Sequence, residues 1–479
     1  MKKIIITIIL LLIPFIFAFI LPVPKGLSYA AWVLFAIYIA AILGLVFKPV
    51  PNAIVLATAV TGVALFLGAE LGGAKKATQS ALSGYASPTT WIIISAFALS
   101  IAFTKTGLGA RIAYLLINAL GKSTLRLGYV TSFLDLIISP ATPSNTARAG
   151  GIVFPIINSI ANNLNPNKSG EANRAGAYLA CNTYMSTKVT SFIFATAQAS
   201  NFLVISAINT HFNLGLDWGM WALALVVPGI ICLLFVPIIT YIFIRPDVKK
   251  IDNKAIASQG LAKLGKITNR EIMLIVIFIA ALLGWSLPSI LNAMGFKISI
   301  NATAVALAAM CASVLTGVIK WEDIASSKEA ISTLFWFGGI MSLSTLLKEH
   351  NFFTWLGALL EGTLTFKDHA FLAVVIIGLI SIFIRYLFAS ATVYAVTIFP
   401  VFLLLAKAAG ADVLTLCFVL AATNSFGGAI THYGGPAAPI IFGAGYNNVK
   451  EWWLTGTMVA LISFVIILFV GGVWWKIVF

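Results

Sequence analysis

Charge is what this sequence has least of. Only 9% of its 479 residues are Asp, Glu, Lys or Arg, where a soluble globular protein carries roughly 25%. Carboxylates are the scarcer sign, 15 against 30 basic residues, and histidine occurs four times. An enzyme needs a nucleophile–base pair or a set of metal ligands, and so few groups, widely spaced, supply neither. The four cysteines, Cys181, Cys232, Cys311 and Cys417, fall singly in apolar segments, which excludes a disulfide framework and a Cys-based metal site. No metal and no cofactor is expected. A polar stretch long enough for a sizeable soluble domain is also missing.

What fills the chain is apolar. Hydrophobic residues make up 60%, the mean hydropathy is +1.01, and runs of about 18 or more apolar residues recur, the signature of spanning helices. The fold class is an all-α polytopic membrane protein whose surroundings are the lipid bilayer. A net charge of +15 would suggest nucleic acid in a soluble domain. Here the basic residues gather in particular loops, so the positive-inside rule accounts for them and no nucleic-acid partner is expected.

The segments divide as follows. Met1-Lys2-Lys3 and the apolar run to Leu21 imitate a signal peptide, but the run is too long for an ordinary h-region and no clean A-x-A site follows. It is taken as a first transmembrane helix within residues 1–28. Residues 29–244 form a first repeat, with spans near Tyr29–Phe47, Ala53–Leu71, Trp91–Phe103, Ala177–Ile205 and Trp218–Phe243. Gly107–Ala119 is short and amphipathic. Residues 245–270 are a basic, solvated loop. Residues 271–479 form a second repeat, with spans near Ile272–Leu291, Ala304–Ile319, Leu334–Leu347, Val413–Phe442 and Leu454–Phe479, a short amphipathic piece at Phe352–Leu364 and a broken segment at Phe371–Ala406. The loop Ser206–Asp217 lacks Lys and Arg, whereas Arg245–Arg270 holds seven. The basic loop and the amino terminus are therefore cytoplasmic, the carboxyl terminus external, and the membrane the plasma membrane. Offsets tie the repeats together: 245 residues from Trp91 to Trp336 and from Pro155 to Pro400, and 241 from Leu179–Thr190 to Leu420–Thr431. Five spans in each repeat set the two inverted in the bilayer, an arrangement that places substrate at the midplane on discontinuous helices.

The polar stretch P-S-N-T-A-R-A-G-G, Pro143–Gly151, interrupts apolar arms of about a dozen residues, each too short to cross. Polar backbone at membrane depth survives only inside protein or along a watered cavity, so Tyr129–Ile160 is expected to be a re-entrant hairpin entering from the cytoplasmic side. Ser390-Ala391-Thr392 lies 246 residues after Ser144 and marks a second hairpin, on the external side. Helix ends at such tips carry unpaired N–H groups and a dipole that favour anions. Ser144, Asn145, Thr146, Ser390 and Thr392 add side-chain donors. Two tips facing each other suit a molecule with two carboxylates. The bland alternative is that these residues only cap the returning helices.

The paired motifs resemble the divalent anion/sodium symporter family, most closely its 2-oxoglutarate/malate translocator branch. The likeness rests on Pro143–Gly151 and on Thr431-His432-Tyr433-Gly434, and covers nearly the whole chain. It implies eleven transmembrane helices, two re-entrant hairpins, an elevator-like motion and a homodimer. Departures from the sodium-coupled pattern are specific. Ala391 replaces the asparagine of the second motif. Pro140 and Tyr386 stand where sodium-ligating hydroxyls are expected. Of the two unwound glycine-rich segments, the second keeps Gly427-Gly428 but the first reads Ser186-Thr187-Lys188.

Each remaining charge has two readings. Lys188 at membrane depth costs about 2.5–3.5 kcal/mol to insert. It is either a fixed cation at the site or a partner of Asp135. Arg148 contacts substrate or pairs with Asp135, and His432 belongs to the site or to the core. The substrate-binding set is thus Ser144, Asn145, Thr146, Ser390, Thr392, Lys188, His432 and Arg148. The function expected is sodium-independent exchange of dicarboxylates of the 2-oxoglutarate, malate, fumarate and succinate class, with Lys188 in place of a bound ion. The rivals are a sodium-coupled di/tricarboxylate symporter and an anion channel, which would need a continuous polar lining.

Overall fold

Apolar runs in a bilayer fold as helices because no water is there to satisfy the backbone. The computed structural model describes residues 2–164, 167–296, 298, 300–360, 369–408 and 410–479. Among them, seven helices are individually long and apolar enough to cross, and further apolar helices are shorter, so eleven spans cannot be counted by length alone. The first half runs α1 (Lys2–Phe19), α2 (Tyr29–Phe47), α3 (Asn52–Phe66), α4 (Pro88–Thr106), α5 (Leu108–Leu120), α6 (Thr124–Ile138), α7 (Phe154–Leu164), α8 (Arg174–Ile193), α9 (Ala199–Phe212) and α10 (Trp218–Ile244). Then come α11 (Asn253–Leu264), α12 (Asn269–Ala293), α13 (Ala302–Leu315), α14 (Lys328–Glu349), α15 (Ala370–Ile384), α16 (Ala391–Thr397), α17 (Phe399–Ala408), α18 (Val413–Phe426) and α19 (Val449–Ile466). The short piece expected over Phe352–Leu364 is helical over Phe352–Leu360, and residues 361–364 lie outside the described residues.

Starts and stops follow local chemistry. Ser28, Ser87, Ser123 and Ser327 each accept a hydrogen bond from a first-turn N–H of α2, α4, α6 and α14, satisfying donors that a helix start leaves open. The first polar stretch returns as a wide π-helical turn over Thr146–Val153 that runs into α7. Pro155 has no N–H to give back along the helix, and Gly150-Gly151 precede it, so the regular ladder is locally relaxed.

Two expectations about continuous spans need correction. The stretch Ala177–Ile205 is not one helix. It breaks between α8 and α9, with extended backbone at Phe194 and Gln198. The break is stabilised from outside: the Asn201 amide donates to the Ser191 and Phe194 carbonyls at 2.7 and 3.1 Å. Val413–Phe442 is likewise not one helix: α18 runs into a 3-10 turn at Gly427–Ala429, the chain then unwinds, and α-helix resumes at Ala438. The unwinding looked for at Ser186-Thr187-Lys188 does not occur. Those residues sit inside α8, which is buried over Ala175–Ile193 and packed among α6, α10 and α18. Nor is Arg245–Arg270 a plain linker. It contains α11, which packs along α5, and the Asn253 amide donates to the Ile117 and Asn118 carbonyls at 3.1 and 2.7 Å.

Ion pairs fix one face of the molecule. Lys105 at the end of α4 meets Asp323 at 2.5 Å, and Arg111 of α5 meets Glu271 at the start of α12 at 2.6 Å. The Lys105 ammonium holds the Asp323 carboxyl below the usual carboxylate range. This face carries the basic loop.

Candidate substrate site

Both hairpin tips open onto one cavity of about 460 Å³. Pro143, Ser144, Asn145 and Thr146 line it from the first tip, and Ser390, Ala391 and Thr392 from the second. Lys188 of α8, Gln198 and Ser200 from the first break, and Gly435 from the second complete its inner wall. The first turns of α14 border it with Lys328, Glu329, Ser332, Thr333 and Trp336.

The tips share one local design. Ser144 Oγ accepts from Ala147 N at 3.2 Å and Ser390 Oγ accepts from Val393 N at 3.3 Å. Each serine caps the helix that returns from its tip. A hydroxyl that accepts in this way keeps its own proton to donate, so capping and anion binding are compatible. Thr146 and Thr392 are half-buried at the cavity wall.

Asn145 is held more firmly. Its amide donates to Gln198 Oε1 at 3.1 Å, and its carbonyl oxygen accepts from Ser191 Oγ at 2.9 Å and from Arg148 at 3.3 Å. Gln198 also accepts from Ser425 Oγ at 3.4 Å and donates to Ser200 Oγ. Asn424 of α18 reaches the same Ser200 hydroxyl at 3.2 Å. This amide–hydroxyl network joins the first tip, the first break and α18. None of Gln198, Ser200, Asn424 and Ser425 was selected from the sequence. The only signal was polar residues at membrane depth in segments read as spans.

Arg148 does not line the cavity. It is fully buried, with Nε 3.2 Å from both Asp135 carboxylate oxygens. Its other nitrogens donate to the Thr142 and Ala197 carbonyls at 2.9 and 2.7 Å and to Ser191 Oγ at 2.8 Å. Thr187 and Thr190 donate to the same carboxylate. Of the two readings of Arg148, the geometry is that of the pair with Asp135. His432 also lies off the cavity. Its Nδ1 accepts from Trp453 Nε1 at 3.0 Å and its ring packs on Phe442 at 4.8 Å.

Asp135 being taken, it is not the partner of Lys188. Lys188 Nζ donates to the Gly434 carbonyl at 3.3 Å and lies 5.0 Å from the centre of the Tyr184 ring. Arg385 donates to the same carbonyl at 3.2 Å, and to the Phe388 and Ser390 carbonyls at 3.3 and 3.2 Å. Both cations are buried, and among the described residues neither meets a carboxylate within ion-pair distance. The Arg385 Nε has no hydrogen-bond partner. Glycine makes room for them: a Cβ on Gly428 would stand 2.8 Å from Arg385 Nη2 and 3.2 Å from Lys188 Nζ. Burying charge unpaired is costly, so this pair of cations marks a place where an anion is wanted.

The whole chain, residues 1–479, matches the family described as the sodium:sulfate symporter transmembrane region. It is 47% identical to the inner membrane protein YbhI of Escherichia coli K12, over 98% of this chain and 96% of that one. It is 35% identical to the putative malate transporter YflS of Bacillus subtilis, over 95% and 93%. Identity is 32% with the L-tartrate/succinate antiporter of Escherichia coli K12, over 96% and 95%. In fold it resembles the MtrF efflux pump of Neisseria gonorrhoeae, with a TM-score of 0.54 at 14% identity, covering 98% of this chain and 93% of that one.

Proposed function

The chain belongs to the sodium:sulfate symporter family of membrane transporters, and on that premise we propose that it exchanges one dicarboxylate for another across the plasma membrane without sodium. The single observation that carries the reading is the pair of buried cations, Lys188 and Arg385, beside two donor-bearing hairpin tips. Where the family's sodium-coupled members are expected to gather ligands around an ion, the space next to Gly428 holds an ammonium and a guanidinium instead. Two relatives point to the substrate class, one named for malate and one for tartrate and succinate.

The mechanism follows from electrostatics. Ser144, Asn145 and Thr146 hold one carboxylate of a C4–C5 diacid, and Ser390 and Thr392 hold the other. Lys188 faces the cavity and compensates the dianion, with Arg385 behind it. Asn145 is positioned by Gln198, and Arg148 keeps the first tip in shape through Asp135. His432 supports the second break from the core side. A sodium symporter sheds its cations and returns empty. Tethered cations cannot leave, so an unloaded site would carry uncompensated charge through low dielectric. The loaded carrier moves and the empty one stalls. The movement is an elevator-like shift of the two hairpins, made by inverted repeats within a homodimer. The amino terminus and the basic loop are cytoplasmic and the carboxyl terminus external. In a background without other cysteines, Ser258→Cys in α11 should resist an impermeant thiol reagent added to intact cells, and ready labelling would reverse that orientation.

The transport test uses proteoliposomes. Vesicles preloaded with malate take up labelled 2-oxoglutarate equally in sodium, potassium and choline buffers, and empty vesicles take up almost none. Uptake into empty vesicles driven by a sodium gradient would establish the symporter reading instead.

A further inference from the structure

The segment of the second half that borders the site carries charges its counterpart in the first half lacks. Lys328 and Glu329, in the first turn of α14, border the cavity. Both are exposed, and among the described residues neither makes an ion pair. This end of α14 lies at the basic face, since the short helix before it, Trp321–Ala325, carries Asp323, the partner of Lys105. The positions 245 residues earlier, at the offset that relates Trp91 to Trp336, are Ser83 and Gly84. Neither bears charge.

The difference is built into the fold. α4 begins at Pro88, which matches Thr333, whereas α14 begins at Lys328. In the first half the matching residues form a 3-10 turn, Ser83–Ala86, that carries no charge, whereas the first turn of α14 carries both. In the first half a side chain at position 84 is barred. A Cβ on Gly84 would stand 2.1 Å from the Gly338 carbonyl oxygen and 2.4 Å from Ser342 N, and the Gly84 N–H is used by Ser342 Oγ at 2.8 Å.

Resting on the exchange reading above, the site faces the start of α14 in one end state and the start of α4 in the other. We propose that Lys328 and Glu329 set substrate affinity at the basic face alone. The Lys328 ammonium attracts the entering dianion, the Glu329 carboxylate repels it, and the related positions Ser83 and Gly84 supply neither charge. Exposed charges act through water and counter-ions, so each effect is modest and fades with salt.

The experiment measures the KM for labelled malate at each face, in whole cells and in inverted membrane vesicles, both preloaded with unlabelled malate. Lys328→Gln should raise the KM in inverted vesicles by about fivefold, the scale of one exposed charge contact. Glu329→Gln should lower it by a similar factor, and the double variant should return close to the parent. All shifts should shrink at high ionic strength, and the KM in whole cells should hold. Equal shifts at both faces, or none at either, would overturn the proposal. A shift confined to whole cells would support the one-sided effect and reverse the membrane orientation. The exchange reading has its own readout in the same vesicles: uptake must collapse without preloading, whatever the KM values do.

Discussion

At both hairpin tips a serine caps the returning helix, and an arginine holds the carbonyl two residues before that serine. Arg148 reaches Thr142 O at 2.9 Å and Arg385 reaches Phe388 O at 3.3 Å. The arms that supply the arginines differ, since Arg148 follows its motif and Arg385 precedes its own. The electrostatics differ more. Asp135 neutralises Arg148 inside the protein, whereas Arg385 shares the Gly434 carbonyl with a second cation, Lys188. Similar backbone chemistry thus yields one tip that is electrically complete and one that is short of negative charge. On the proposed reading both tips hold a carboxylate, and the substrate's charge is compensated at the second.

The largest effect expected is on the completed side. Asp135→Asn strands a buried guanidinium and should cost about 3–5 kcal/mol of stability, read as a large fall in thermal midpoint in detergent. Adding Arg148→Met should recover much of it, because the uncompensated charge goes too. The opposite behaviour is expected at the incomplete side. Lys188→Met should leave the fold stable and weaken malate binding by about 30-fold or more, the scale of losing a buried charge partner. A stability loss without an affinity loss there would make the two sides alike and break the contrast.

Smaller changes sharpen it. Asn145→Ala should weaken malate binding about tenfold, since a hydrogen bond to a charged group contributes about 1.5–3 kcal/mol. Because Gln198 holds the Asn145 amide, Gln198→Ala should act in the same direction and the double variant should be less than additive. Wild-type affinity in both would reduce the first tip to a helix cap. Gly428→Ala pushes a methyl to 2.6 Å from the Gly434 carbonyl oxygen and against Arg385 and Lys188, and should cost about 1–3 kcal/mol by overpacking. Gly151→Ala in the first tip meets only Thr146 O at 3.8 Å and should be tolerated.

The same contrast governs what the sequence made legible. The second break announces itself with Gly427, Gly428, Gly434, Gly435 and Pro436. The first, F-A-T-A-Q, contains neither glycine nor proline. It stays open because Arg148 takes the Ala197 carbonyl and Asn201 takes two more, contacts that exist only after folding. Polar residues at membrane depth were visible as exceptions to an apolar background, which is why both tips and Lys188 stood out. Which cation Asp135 would neutralise was not visible, because Arg148 and Lys188 are both within plausible sequence reach of it. Nor was the role of Gly428. Lys188 was already expected in place of a bound ion, but not the packing that sets Arg385 beside it on the same carbonyl.

That exchange of a bound ion for a tethered one is the centre of the account, and calorimetry of malate binding to the purified protein tests it most directly. The titration is run in choline chloride and again in sodium chloride at equal ionic strength, on the parent and on Lys188→Met. The account predicts the same parental affinity in both salts and a large loss in the variant that sodium does not restore. Parental binding that appears only with sodium, or a variant that binds as tightly as the parent, would contradict it.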